Sequence, residues 1–414
     1  MKKLIYFKII LLLSVVSTAY FRLYKGLISS KEFFLDSMVY YCGPLLFHQT
    51  GNGYNSLLSC SSELVNFKFV YLPIYLRILK FYVLTPDSFY LLWIVSITSS
   101  TFIVLLVLKR IYNYKNIALV GLISLLGFSA IPLQGYLSGN ISSILYLPTA
   151  IGLMIIFFEN KKLRLFGLLL ITLPSLFKIH MIIFLLVPFL LFEYRHLRIL
   201  FLLVALPFTF ILLNKYMYPE EFNFLYNNIA ILPYVGDMGV GSLQSINYIK
   251  SSILNIGISF NPGRHNWLAD LGQINKKDFL IDYLAYGVLF CVIIFKIYKI
   301  RSIKLSSDLC SDKKLKFSIA LIGSYLLIPR LKQYDMFLCT LPLLYIVNSD
   351  YFQIILANLR LIIKPQYFII IFNILILGFY NIKGDNYFIY PIILLIFSLS
   401  TYHLNKIEND SQKS

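Results

Sequence analysis

The chain is predicted to be an all-α, polytopic membrane protein with about twelve transmembrane helices. Two observations set that class. Of its 414 residues, 58% are hydrophobic and only 14% charged, with a mean hydropathy of +0.75. That balance leaves too little polar surface for a soluble fold of this length. Apolar runs of roughly fifteen to twenty residues also recur along the chain, bounded by Lys/Arg clusters or by Gly, Pro and Asn. Helices that cross about 30 Å of hydrocarbon and satisfy their own backbone polar groups have this pattern.

The first run, 4–21, follows Lys2 and Lys3 and lacks a small-residue cleavage site before a polar segment. It reads as a retained span with a cytoplasmic amino terminus rather than a removed signal. Further spans are read near 89–108, 117–135, 141–158, 163–178, 180–194, 199–216, 279–298, 317–330, 335–349, 367–381 and 388–404. Both termini then lie inside. Lys109/Arg110/Lys115, Lys161/Lys162/Arg164, Arg195/Arg198, the group from Lys296 to Lys316, and Arg360/Lys364 all fall on the cytoplasmic side, as the positive-inside rule requires. The net charge of +18 therefore reports topology. Nucleic acid is not an implied partner, because the bases sit in short clusters between apolar runs rather than along one soluble face.

Two segments depart from the regular pattern. Residues 69–84 are apolar enough to count as a span but contain Arg77 and Lys80, each costing about 2.5–3.5 kcal/mol near a helix centre. Counting this segment would also move most of the downstream basic clusters outside. It is read instead as a short interfacial or re-entrant helix within one long external loop, 22–88. The run 163–194 has bases at both ends and Pro174, Lys178 and His180 in its middle. A hairpin of two helices of roughly sixteen residues, rising ~1.5 Å per residue, keeps both ends inside and leaves Lys178 and His180 lining a cavity. A second external loop, 217–278, is rich in Asn, Gly, Tyr and Ser and long enough to fold over a site. The chain divides into a membrane module, 1–216, with loop 22–88, and a remainder, 217–414, with loop 217–278 and the last spans.

Asp36 stands in a loop reading Asp36-Ser37-Met38-Val39-Tyr40-Tyr41, about fourteen residues past the first span. Few other carboxylates are on its side of the membrane. Taken alone it is a solvated loop acid, but its surroundings follow an order. Tyr40-Tyr41 comes after it, then the turn Gly51-Asn52-Gly53-Tyr54, then Tyr71-Leu72-Pro73, Gly139-Asn140 at the mouth of a span, and Pro329 with Tyr334-Asp335. This succession, collinear from residue 36 to about 345, resembles glycosyltransferase family 87 of the GT-C superfamily. The family pattern more usually has Gly-Gln-x-Asn where this chain has Gly139-Asn140, and two prolines where it has Leu72-Pro73.

The resemblance implies a GT-C type catalytic module over 1–216. It also implies transfer of a hexose, mannose being the best-known cargo, from a polyprenyl-phosphate-sugar donor. The acceptor would be a glycolipid or glycan on the outer face, and the anomeric centre would be inverted. Asp36 takes the role of general base, which must come within ~3 Å of the hydroxyl it activates. Tyr40, Tyr41, Tyr54, Asn140 and Tyr334 are the candidate substrate-pocket residues. The departing lipid phosphate needs cations or hydrogen-bond donors. Lys178, His180, Arg264, His265, Arg330 and Lys332 are the candidates on the outer side. Lys178 ranks first because an intramembrane lysine is costly unless it faces a cavity or partner, although snorkelling to headgroups also fits. Arg264 and His265 follow, in the turn Asn261-Pro262-Gly263-Arg264-His265. Arg330 and Lys332 flank Pro329 and also fit headgroup anchors.

Other chemistries find no motif. The chain has no Gly-rich phosphate loop before a strand, no Cys-x-x-Cys or His-x-x-x-His spacing and no Gly-x-Ser-x-Gly elbow, so no metal or other cofactor is called for. Nucleotide sugars are cytoplasmic, whereas the long loops face outward. Cys42 and Cys60 share the first external loop and are able to pair in an oxidising compartment, a question the sequence leaves open. An O-antigen-polymerase-like enzyme is an alternative and would place the chemistry at Arg264 and His265. A secondary transporter is another, but Glu193, Asp282 and Asp335 all fall near span ends, where a coupled carrier puts acids near mid-membrane. The high Lys, Ile, Asn, Tyr and Phe content points to an AT-rich bacterial genome and so to an inner (plasma) membrane.

Overall fold

The computed structural model describes residues 16–17, 20, 24, 34–54, 60, 69–158, 162–191, 197–231, 276–306, 308–328, 333–358 and 389–402. Among them the regular secondary structure is helix, with no strand. The expected spans at 4–21 and 367–381 lie largely or wholly outside the described residues.

Asp36 is not in a loop. It occupies the first turn of α1, Leu35–Thr50. Gly43 and Pro44 obscured this helix in the sequence, since a proline within a helix removes a backbone bond and crowds the preceding turn. Here tertiary bonds hold its start. After Phe34 in left-handed backbone (φ 53°), Phe34 N–H donates to Leu137 O at 2.8 Å and Asp36 N–H to Ser138 O at 3.0 Å. These are amides that a helix start leaves without intrahelical partners. The acid in the first turn also complements the helix dipole. Gly51, at φ 75°, ends α1 and returns its N–H to Phe47 O, the usual use of glycine at a left-handed cap.

The doubtful apolar segment forms only α2, Pro73–Ile78, followed by a single 3₁₀ turn, Phe81–Val83. Proline at the first helical position suits a helix start. Six residues rise about 9 Å, too little to span, so the short-helix reading holds. α3, Pro86–Tyr112, is the first described helix long and apolar enough to cross a membrane: 27 residues, about 40 Å long. Thr85 caps its start by accepting from Ser88 N–H, and Asn113 closes its end in left-handed backbone. Asp87 in its first turn and Lys109 and Arg110 in its last match the dipole at both ends.

α4, Ile117–Leu137, turns through 89° between residues 127 and 130, where Ala130 takes a left-handed φ of 62°. α5, Ser142–Phe157, and α6, Arg164–Thr172, pack closely together. α7, Pro174–Phe177, ends at Lys178, whose backbone is extended (φ −128°, ψ 96°). A 3₁₀ helix, Ile179–Leu185, and α8, Leu186–Leu191, complete the second limb. The predicted break in this run thus falls at Lys178, and the 3₁₀ limb folds against α6. Beyond it come α9, Leu197–Met217; α10, Pro219–Ile231; α11, Lys276–Ile300; and α12, Leu309–Leu326. Then follow a 3₁₀ helix, Gln333–Leu338; α13, Thr340–Val347; α14, Asp350–Asn358; and α15, Ile389–Tyr402. Residues 219–231, expected within a long loop, are therefore helical.

Three described helices, Pro86–Tyr112, Arg198–Met217 and Tyr283–Ile300, are long and apolar enough to cross a membrane, or five if each of two bent pairs counts as one span. The remaining apolar helices, such as Ser142–Phe157 and Ile389–Thr401, are shorter. α9 carries Phe201, Leu202, Phe208 and Leu212 exposed along its length. Such apolar faces suit lipid rather than water.

Glycine sets the α5–α6 contact. A Cβ on Gly152 would run into the backbone carbonyl of Gly167 and lie 2.7 Å from Ile171 Cγ1. Gly152→Ala is expected to cost about 1–3 kcal/mol, the usual penalty of overpacking where backbone cannot yield. Thermal unfolding in detergent should show the loss as a lower Tm. An unchanged Tm would mean that the two helices separate without penalty.

Cys42 on α1 and Cys60 form a disulfide across 18 residues, within an aromatic cluster that α1 and α2 help to build and that includes Tyr40, Tyr54, Phe69, Tyr75 and Trp93. Closing a loop of that length stabilises by about 3 kcal/mol in the chain-entropy account. Cys291, Cys310 and Cys339 are free. The denatured, unreduced chain should therefore take up maleimide at three of its five cysteines, and at all five after reduction. Labelling of all five without reductant would refute the bond.

Candidate functional site

Three separated segments meet at the start of α1. Asp36, half-buried, arrives on its first turn, with its own N–H held by Ser138 O. Asn140, 5% exposed, follows the end of α4, where Gly139 (φ 76°) reverses the chain. A Cβ at Gly139 would lie 2.8 Å from the Phe34 ring and 3.0 Å from Phe34 Cα, so glycine serves both the left-handed turn and the close approach to α1. Trp93 Nε1–H donates to Gly139 O at 2.7 Å and braces the turn from α3.

The Asn140 amide links an acid to a cation. Its Nδ2 donates to Asp36 Oδ2 at 3.0 Å. Its Oδ1 accepts from Lys178 Nζ at 2.9 Å and from Ser142 N–H at 3.1 Å. The Lys178 ammonium also donates to the Ser142 hydroxyl. Both faces of the amide are thus committed, which orients it without ambiguity, and the carboxylate and ammonium are each anchored by a buried neutral group. The break at Lys178 brings the side chain here: an extended residue between two helical pieces projects differently from a residue continuing either helix.

The candidate pocket tyrosines are buried rather than open. Tyr40 is 1% exposed; its hydroxyl pairs with Tyr71 Oη at 2.6 Å and accepts from Ile141 N–H, and its ring stacks on Trp93 at 5.0 Å. Tyr54 is 3% exposed and donates to Tyr71 O at 2.7 Å. Burial pushes its phenol well above the ordinary range, so it stays a neutral donor. Tyr41 donates to Leu84 O. These residues belong to one packed aromatic cluster that reaches Ile141, next to Asn140. His180 is half-buried two residues beyond Lys178. Tyr334 lies in the Gln333–Leu338 turn with its side chain outside the described residues, and Arg264, His265, Arg330 and Lys332 lie outside them altogether.

Asp335 is expected near a span end, yet it is enclosed. It is 1% exposed and accepts from the Tyr146 hydroxyl at 3.0 Å. Tyr146 lies one helical turn past Ser142 on α5, so one helix face carries both the residue that meets Lys178 and the residue that meets Asp335. Ser142 and Trp93 were not legible as site residues. A serine at a helix start reads as an ordinary cap, and a tryptophan in a span reads as an interfacial anchor.

No family model matches the chain, and neither curated proteins nor solved structures give a match.

Proposed function

We propose that this chain is an integral membrane glycosyltransferase of GT-C type. It transfers a hexose, mannose first among the candidates, from a polyprenyl-phosphate-sugar to a glycolipid or glycan acceptor on the outer face of an inner membrane. In this reading about twelve spans carry the basic clusters inside and place Asp36 outside. Asp36 removes the proton from the acceptor hydroxyl as its oxygen attacks the anomeric carbon, inverting that centre. Lys178 faces the departing lipid phosphate, which takes the bonding pair with it.

The observation that carries this reading is the linkage of Asp36 to Lys178 through Asn140. An inverting transfer needs a base on the acceptor side and positive charge on the leaving-group side. A solvated loop acid and a snorkelling lysine have no reason to share one buried amide. The test is transfer of radiolabelled sugar from polyprenyl-phosphate-mannose, and in parallel from the glucose analogue, in membranes holding the wild-type chain or Asp36→Ala at equal protein levels. Transfer that vanishes in the variant supports both the activity and the base. Undiminished transfer removes Asp36 from the chemistry.

A further inference from the structure

α2 is six residues long, yet its residues reach α1, the Lys178 break and the segment that leads out of α9. Ile74 N–H donates to Asn214 Oδ1 at 3.0 Å, and Asn214 is 3% exposed on α9. The Tyr75 hydroxyl donates to Leu176 O at 2.9 Å, two residues before Lys178, and its ring lies 3.8 Å from that of Phe177. Arg77 donates to the Glu221 carboxylate on α10 and to Pro73 O at 3.2 Å. Its guanidinium sits 4.5 Å from the ring centroid of Phe47 on α1 and 3.9 Å from that of Tyr218.

A guanidinium held by two rings, a carboxylate and a carbonyl has lost its rotamer freedom. Arginine suits this position because its planar fork stacks and forms directed hydrogen bonds together, where an ammonium acts as a point charge. The elements it joins matter more than the pair. α1 bears Asp36 at one end and Phe47 at the other, Tyr75 grips the backbone beside Lys178, and Glu221 begins the hydrophilic segment after the α9 span. We propose that Arg77 is a positioning residue: by locking α2 between α1 and α10 it sets the placement of Lys178 relative to Asp36 and holds α10 against the same face. This rests on the base-and-cation reading of the site. Arg77 itself touches neither group and acts through Tyr75 and Phe47.

The test uses the full-length chain in detergent, with Arg77→Ala, Arg77→Lys, Arg77→Glu, Glu221→Arg and the exchanged pair Arg77→Glu/Glu221→Arg. Hydrogen exchange is followed in 174–179 and 219–231, beside kcat and donor KM. Arg77→Ala is expected to speed exchange in both segments by about tenfold, the scale of local opening when one coupled contact is lost. It should also lower kcat by about tenfold or more with KM changed far less, as misplacement of reacting groups does. Arg77→Lys should fall between Ala and wild type, and the exchanged pair should recover part of what each single reversal loses. Exchange in 174–179 that stays at the wild-type rate in Arg77→Ala would overturn the proposal, as would an exchanged pair no better than the worse single variant. If the wild-type chain transfers no sugar, the glycosyltransferase reading falls, and the exchange rates alone decide whether Arg77 couples these segments.

Discussion

Asp36→Asn is expected to lower the transfer rate by about 10²–10⁴-fold, the contribution of a positioned general base. The substitution is chosen because the amide keeps what the carboxylate does for the fold. Its oxygen can still accept the Asn140 N–H that now reaches Asp36 Oδ2 at 3.0 Å, and its backbone N–H still meets Ser138 O. What is removed is the negative charge, and with it the basicity. A structural role for Asp36 predicts the opposite pattern, with Asn nearly silent and Ala destabilising, because Ala leaves the buried Asn140 donor without its acceptor at about 1–3 kcal/mol. Measuring kcat and thermal stability for both variants separates the two. A fall in kcat with an unchanged Tm in Asp36→Asn marks a base, whereas wild-type kcat in that variant dismisses it.

The all-helical class and most described helices were readable in the sequence, including the three long and apolar enough to cross a membrane, because apolar run length and basic flanks are local properties. That 69–84 holds a short helix rather than a span was readable for the same reason: the cost of burying Arg77 and Lys80 argued against a span, and the helix found there, Pro73–Ile78, is too short to be one. α1 was missed because Gly43 and Pro44 sit at its centre, and the bonds that offset them come from Leu137 and Ser138, about a hundred residues away. Asp36 and Lys178 could be singled out by the cost or rarity of their charges. Their connection could not, since Asn140 lies 104 residues from one and 38 from the other. Partners so far apart in sequence leave no period or motif. The pairing of Arg77 with Glu221, 144 residues apart, was hidden in the same way, as was the burial of Tyr40, Tyr41 and Tyr54, the candidate pocket tyrosines.

Lys178 should give the second large effect. Lys178→Gln is expected to reduce kcat by about 10²–10³-fold, the range found when one preorganised donor to developing negative charge is removed. The mechanism makes a narrower demand than loss of activity. Charge on the phosphate oxygens grows as the anomeric bond breaks, so the ammonium should matter more in the transition state than in the bound donor, and KM should move much less than kcat. A snorkelling lysine predicts neither change, because its ammonium would then lie among the headgroups and away from the reacting atoms. A lysine needed only to hold Asn140 is a third case, and Asn140→Ala distinguishes it. That variant removes the acceptor that Lys178 Nζ meets at 2.9 Å but leaves the ammonium its bond to Ser142. If the cation is what matters, Asn140→Ala retains more activity than Lys178→Gln. If Lys178 acts only by orienting the amide toward Asp36, Asn140→Ala is at least as damaging, and the ammonium loses its claim on the leaving group.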